Sequence, residues 1–239
     1  MKIHKNPTCG SQFLRDATNR ISIKLFKRVN TPFMKAKELD MITEIISRLK
    51  PETCLEWGSG FSTLMIPGLI PNLKQWQSLE HNKAWHEFVA KENKDPHVTV
   101  TLVEPDDPDY DLRGGGYDEK KEGVFEDFRT YITYPSKLNT KFDFIFIDGR
   151  ARKECLKQAF DLVSEGGVVI VHDANRDSYF TDIPAFSSVL HLQDYRHHRK
   201  MGGMWVARKN GDVSEILDVA RHKKIWRMHE VLAKMLFLR

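Results

Sequence analysis

Cys54-Leu55-Glu56-Trp57-Gly58-Ser59-Gly60-Phe61-Ser62-Thr63 is the stretch on which the fold turns. An apolar lead-in, an acid, a Gly-x-Gly turn and a Ser-Thr pair stand between an expected strand and an expected helix. Glycine lets the backbone take positive φ and come close to a ligand. A carboxylate beside a phosphate-binding loop would repel its anion, so Glu56 suits a ligand with positive charge or with hydroxyl and amine donors.

Outward from this loop, strands and helices alternate. Residues 53–57 read as a short buried strand and 62–70 as a helix. Residues 75–79 form a strand ending in Glu80, followed by a helix over 83–93 and a third strand over 98–103. Residues 142–147 form a strand ending in Asp148, then a helix over 152–163 and a strand over 167–171 ending in His172-Asp173. This alternation is α/β, a doubly wound and mostly parallel sheet covered on both faces. Right-handed crossovers bring the carboxyl ends of the strands to one edge, where such sheets bind ligands. That edge collects Glu56, Glu80, Asp148, His172 and Asp173.

Around this centre, residues 1–50 are an N-terminal arm and helical cap. The segment 1–30 is basic and irregular with a weak amphipathic patch at 21–26, Thr31-Pro32 starts a helix, and Leu39, Met41, Ile42, Ile45, Ile46 and Leu49 form its apolar stripe over 35–50. The polar, glycine-rich run 104–135, with Gly114-Gly115-Gly116, is either a binding-edge loop or a solvated excursion, turning helical near 125–131. Residues 191–198 and 204–207 read as a hairpin, and 213–239 as a basic amphipathic helix that either docks on the domain or lies on an anionic membrane surface.

The chain has 239 residues, 41% hydrophobic and 29% charged, with net charge +4. That is enough for one core and too weakly basic for a dedicated nucleic-acid binder. Cys9, Cys54 and Cys155 form no metal pattern and read as free thiols of a reducing, cytoplasmic compartment. No apolar run approaches the ~20 residues of a membrane span.

Four segments together resemble the class I (Rossmann-like) S-adenosylmethionine-dependent methyltransferases, from about 51 to 207. They are Leu55-Glu56-Trp57-Gly58-Ser59-Gly60, Ser78-Leu79-Glu80, Asp143–Gly149 and Gly166–Asp173. The resemblance implies a seven-stranded sheet, a methyltransferase domain over 51–209 followed by the helical segment 210–239, and S-adenosylmethionine held by Glu56, Gly58, Ser59, Gly60, Ser62, Glu80, His81 and Asp148. Glu80 would take the ribose hydroxyls. A nicotinamide-binding fold is the competitor, but its third glycine would fall at position 63, where Thr63 stands.

Asp148, His172 and Asp173 are the candidate catalytic residues facing a small-molecule acceptor. His172 suits a general base by its ordinary pKa, and Asp173 could act instead or orient it. Catechol-type relatives hold Mg²⁺ between acids at Asp148 and Asp173. Here Ala174 follows the second acid, with Asn175 one later, and Ala151 stands where those enzymes place a lysine; both departures count against the cation. Arg150, Arg152 and Arg176 suit an anionic acceptor, and Tyr131, Tyr134 and Tyr179 either line its pocket or pack. The expected reaction is methyl transfer to a hydroxyl of a small molecule or sugar. The alternatives are a nicotinamide-dependent oxidoreductase and a non-catalytic, membrane-associated binding module.

Overall fold

A computed structural model describes residues 10–12, 14–16, 18, 34–110, 122–194 and 202–235. The patch at 21–26, the Thr31-Pro32 start, Cys9, Gly114–Gly116 and residues 195–198 lie outside the described residues. The chain runs α1 (Ala36–Leu49), β1 (Thr53–Trp57), α2 (Phe61–Met65), β2 (Gln75–Glu80), α3 (Lys83–Glu92), β3 (Val98–Leu102), α4 (Arg129–Thr133), β4 (Phe142–Ile147), α5 (Arg152–Leu162), β5 (Val163–His172), β6 (Ser188–Leu192), β7 (Met204–Arg208) and α6 (Val219–Met235).

The seven strands form one sheet in the order β3-β2-β1-β4-β5-β7-β6. The first five pair in parallel. β7 runs antiparallel to both of its neighbours, β5 and β6. The doubly wound, mostly parallel sheet expected from the sequence is therefore present.

Strand parity decides which side chain enters which core. Leu55 and Trp57 of β1 join Ile145, Ile147, Val169 and Val171 beneath α5. Cys54 lies on the other face with Trp76, Phe144, Phe146, Val168 and Ile170, where Met41, Ile42, Ile45 and Ile46 of α1 and Trp226 of α6 cover them. β4 and β5 are buried on both sides, which explains the unbroken apolar runs 144–147 and 168–171.

Several elements differ from the sequence expectation: the first strand of the hairpin is Ser188–Leu192 instead of 191–198, and β5 begins at Val163 instead of 167. The helix over 62–70 stops at Met65, because Pro67 cannot continue it and starts a separate 3₁₀ turn, Pro67–Leu69. The helix expected over 213–239 is interrupted. Asp212 accepts Ser214 N–H to close the short turn Val213–Glu215, and Asp218 accepts Arg221 N–H at the start of α6. Short acidic side chains favour such caps over helix interiors. The helical turn near 125–131 begins only at Arg129, where Asp106 binds Thr130 N–H and hydroxyl.

α6 docks on α1. Arg221 reaches Asp40 at 2.5 Å and Glu44 at 2.8 Å, His222 meets Glu44 at 2.8 Å, and the Lys37 ammonium sits 4.3 Å over the Trp226 ring. Among the described residues no helix is long and apolar enough to cross a membrane. Cys54 and Cys155 are buried free thiols whose pKa burial pushes up.

Candidate active site

Register alone assembles the site. Leu79, Trp57, Ile147 and Val171 are neighbours across β2, β1, β4 and β5. One residue further along stand Glu80, Gly58, Asp148 and His172. These line one cleft of about 660 Å³ together with Ser59, Gly60, Ser62, His81, Trp85, Arg150 and Asp173. That volume lies in the range of ordinary small-molecule sites.

The two loop glycines differ in purpose. Gly58 has φ +95°, and a Cβ there would lie 2.5 Å from the backbone of Gly149. Glycine is required by both conformation and packing. Gly60 is extended at φ 178°. A Cβ there would find nothing nearer than 3.7 Å within the protein, so its absence leaves room in the cleft.

Glu56 is not a cleft residue. Parity puts it on the face of Cys54, and it is 0% exposed. Its carboxylate accepts from Ser62 and Thr63 hydroxyls, from Ser78 Oγ at 2.8 Å and from Trp76 Nε1 at 3.0 Å. Thr63 Oγ1 in turn accepts Gly60 N–H at 2.9 Å. Glu56 thus braces the loop from below, in place of the expected ligand contact. Burial pushes its pKa up to about 7, against the four hydrogen bonds, which favour the charged form. Ser62 is spent on the same knot and does not cap α2.

Glu80 does face the cleft. Its Oε1 accepts the backbone N–H of His81 at 2.9 Å and of Asn82 at 2.8 Å, and its Oε2 accepts Ser59 Oγ–H at 3.1 Å. Asn82 accepts Trp85 N–H and starts α3. Trp85 then returns its indole N–H to Ser59 O at 2.6 Å and walls the loop. Trp85 was not singled out in the sequence; the Asn-x-x-Trp cap at the head of α3 was its signal. The His81 ring lies edge-on to Tyr110, Phe128 and Tyr131.

Across the cleft, His172 is clamped. Nδ1 lies 2.9 Å from Asp148 Oδ1 and Nε2 lies 3.3 Å from Glu38 Oε2. Burial disfavours its charged form, but Asp148, Asp173 and Glu38 together raise its pKa well above the ordinary value. A ring that donates at both nitrogens is an imidazolium, so the expected general-base role does not match the geometry. Asp173 is in the left-handed region at φ 52° and accepts Gly202 N–H. Burial would raise its pKa, yet His172, Arg152, Gly202 N–H and Lys35 hold it below the usual range. Asp148 remains as the partly exposed carboxylate, 3.2 Å from Arg152 Nη2.

Glu38 was missed, although the sequence carried a signal. It precedes Ile42 by four positions and Ile45 by seven, so an acid falls on the apolar stripe of α1. Its Oε2 also accepts Lys35 N–H at 2.7 Å, a reach-back that fixes the start of α1.

The donors for a divalent cation are already engaged. The ligand atoms of Asp148, His172 and Asp173 do lie within 4.8 Å of one another. Both nitrogens of His172 and Oδ1 of Asp148 are used internally, however, and Arg152 supplies the positive charge. The Asn175 side chain accepts Asp194 N–H at 2.7 Å and donates to Asp194 O at 3.3 Å, turned to the backbone. This donor set does not fit Mg²⁺. On the other side of the cleft stand Glu80 and Gly60.

Of the three arginines, Arg152 donates to the carbonyls of Asp148, Gly149 and His172. Arg176 is held by Glu122 and Tyr179. Only Arg150 is left facing the cleft with no ion pair among the described residues. Tyr131 at 0% and Tyr179 at 3% exposure are packing residues, and Tyr134 packs against the same core. In the run 104–135, the described flanks are anchored: Tyr110 and Phe128 enter the core, and Glu122 binds Arg152 and Arg176.

No protein-family model matches the chain, and no curated protein does. Solved structures match it well in shape. A candidate caffeoyl-CoA O-methyltransferase from Staphylococcus aureus superposes with TM-score 0.55 at 15% identity, over 85% of this chain and 100% of that one. A methyltransferase from Podospora anserina bound to S-adenosylhomocysteine gives TM-score 0.53 at 15% identity, over 88% and 100%. The chain has the class I methyltransferase fold. A spermidine synthase is also similar, with TM-score 0.51 at 13% identity over 87% of this chain and 76% of that one. Likeness at this identity fixes the fold, and the chemistry has to be argued from the site.

Proposed function

We propose that this protein is an S-adenosylmethionine-dependent methyltransferase acting on a hydroxyl of a small molecule or sugar. The observation that carries this reading is Glu80. It is held by two backbone N–H groups and Ser59, it faces the Gly58–Gly60 loop, and it shares one strand edge with Asp148. A fixed carboxylate at that place accepts paired ribose hydroxyls. Gly58, Ser59, Gly60 and His81 complete the cofactor side, with Glu56 and Ser62 bracing the loop behind them.

The cofactor would supply a methyl group on a sulfonium centre. The chain's own work is positioning. Holding an acceptor hydroxyl in line is worth several orders of magnitude in rate. Asp148 accepts the hydroxyl's hydrogen bond and takes its proton as the new O–C bond forms. His172 and Arg152 hold Asp148 in place beforehand. As Asp148 takes the proton, its negative charge would be lost together with the sulfonium's positive charge, so no pocket for a new anion is needed.

Calorimetric titration with S-adenosylhomocysteine tests the reading. The wild type should bind, Glu80→Ala should weaken binding more than tenfold, and NAD should leave the melting temperature unchanged. Absence of S-adenosylhomocysteine binding to the wild type sinks the assignment.

A further inference from the structure

The charges at the acceptor end of the cleft balance among themselves, with one exception. Asp148 is met by His172 and Arg152, and Glu38 by His172. Asp194 is met by Lys35 and Lys37, and Glu122 by Arg152 and Arg176. Asp173 is held ionised by His172, Arg152 and Lys35. Five carboxylates thus face five cations. Arg150 is the sixth cation, and among the described residues no carboxylate answers it.

The backbone presents Arg150 to the cleft rigidly. Gly149 before it admits no side chain, because a Cβ would lie 2.2 Å from the Tyr131 hydroxyl. Ala151 after it takes φ 50°, donates its N–H to Glu122 O at 2.6 Å and leads into α5. The carbonyl of Arg150 itself accepts the Cys155 thiol at 3.5 Å. A turn fixed on both sides holds the half-buried Arg150 at the same cleft as Asp148, two residues away.

We infer that Arg150 anchors the acceptor, and that the acceptor carries an oxyanion, a carboxylate or a phosphate, besides the hydroxyl that is methylated. This rests on the methyltransferase reading above. An uncompensated guanidinium recognises planar or tetrahedral oxyanions through paired N–H donors. A positively charged cofactor beside it would strengthen the same preference, since two cations in a partly desolvated cleft need an anion. A neutral acceptor would leave Arg150 without a partner at the moment water is excluded.

The experiment is a titration of protein saturated with S-adenosylhomocysteine. The probes are 3,4-dihydroxybenzoate and inorganic phosphate, with catechol as the neutral control. The expected result is that each oxyanion binds the wild type at least tenfold more tightly than catechol does. Arg150→Ala should abolish that difference, and Arg150→Lys should keep part of it. Unchanged S-adenosylhomocysteine affinity in both variants shows that they are folded and that the cofactor side is intact. Oxyanion binding that is absent from the wild type, or equal in wild type and Arg150→Ala, overturns the inference. Failure of S-adenosylhomocysteine to bind would instead overturn the reading beneath it, and the oxyanion titration of the cofactor-free protein would still report on Arg150.

Discussion

Replacing Glu56 by glutamine removes a titrating group from beneath the glycine loop. In the folded protein burial holds its pKa at about 7, against an ordinary 4.5. The folded state therefore keeps a proton that the unfolded chain releases. Its contribution is most favourable below the unfolded value and is lost as pH rises through the folded one. At about 1.4 kcal/mol per pKa unit, wild type loses about 2.5 kcal/mol from this group between pH 5 and pH 8. Glutamine can keep the knot: its carbonyl accepts from Trp76, Thr63 and Ser78, and its amide donates to Ser62. Urea denaturation of both proteins at the two pH values isolates the effect, because His172 titrates in both and cancels in the difference. The variant should gain about 2.5 kcal/mol on wild type over that interval. A difference that stays constant, or one that reverses sign because the four donors outweigh burial, refutes the reasoning.

The two loop glycines should separate in the same assay: Gly58→Ala meets backbone at 2.5 Å and should cost about 3 kcal/mol or more, whereas Gly60→Ala should stay within about 1 kcal/mol of wild type yet weaken S-adenosylhomocysteine binding. Equal stabilities would contradict the packing argument. Glu38→Gln should lower the His172 pKa, read by NMR of the ring, because a buried opposing charge is lost. Its stability cost should be greatest below about pH 6.5 and shrink as pH rises through the raised pKa of His172; a pH-independent cost would count against the clamp. Melting temperatures should be the same in EDTA and in millimolar Mg²⁺, and a rise with Mg²⁺ that Asp148→Asn abolishes would restore the cation site.

The sheet is legible because β4 and β5 carry apolar runs closed by Asp148 and His172, and β2 ends on Glu80, so these three residues stand at one edge. Glu56 was misplaced by one step of parity. It looks like a strand-end acid, but Trp57 is the true end, so its side chain points into the face of Cys54 and Trp76. Role assignments for His172 failed for a different reason. Its ordinary pKa suits a base, and nothing near it in sequence reveals that Glu38, 134 positions earlier, closes its second nitrogen. Long-range partners of this kind are set by packing, which neighbouring residues do not encode. The break before α6 has its signal in Asp218, an acid placed as a cap within what reads as one helix.

The position of β7 bears on how the chain is made. Among the described residues β6 pairs in the sheet with β7 alone, which enters between it and β5. During synthesis, residues 188–192 therefore emerge with nowhere to pair until the strand at 204–208 has followed them. The helix that braces α1, and through it Glu38, comes later still. The cofactor side, built from β1 and β2, can take shape while the ribosome is still working. The proposed acceptor side draws on β4, β5 and α1 as braced by α6, so its elements are complete only after those of the proposed donor side have emerged.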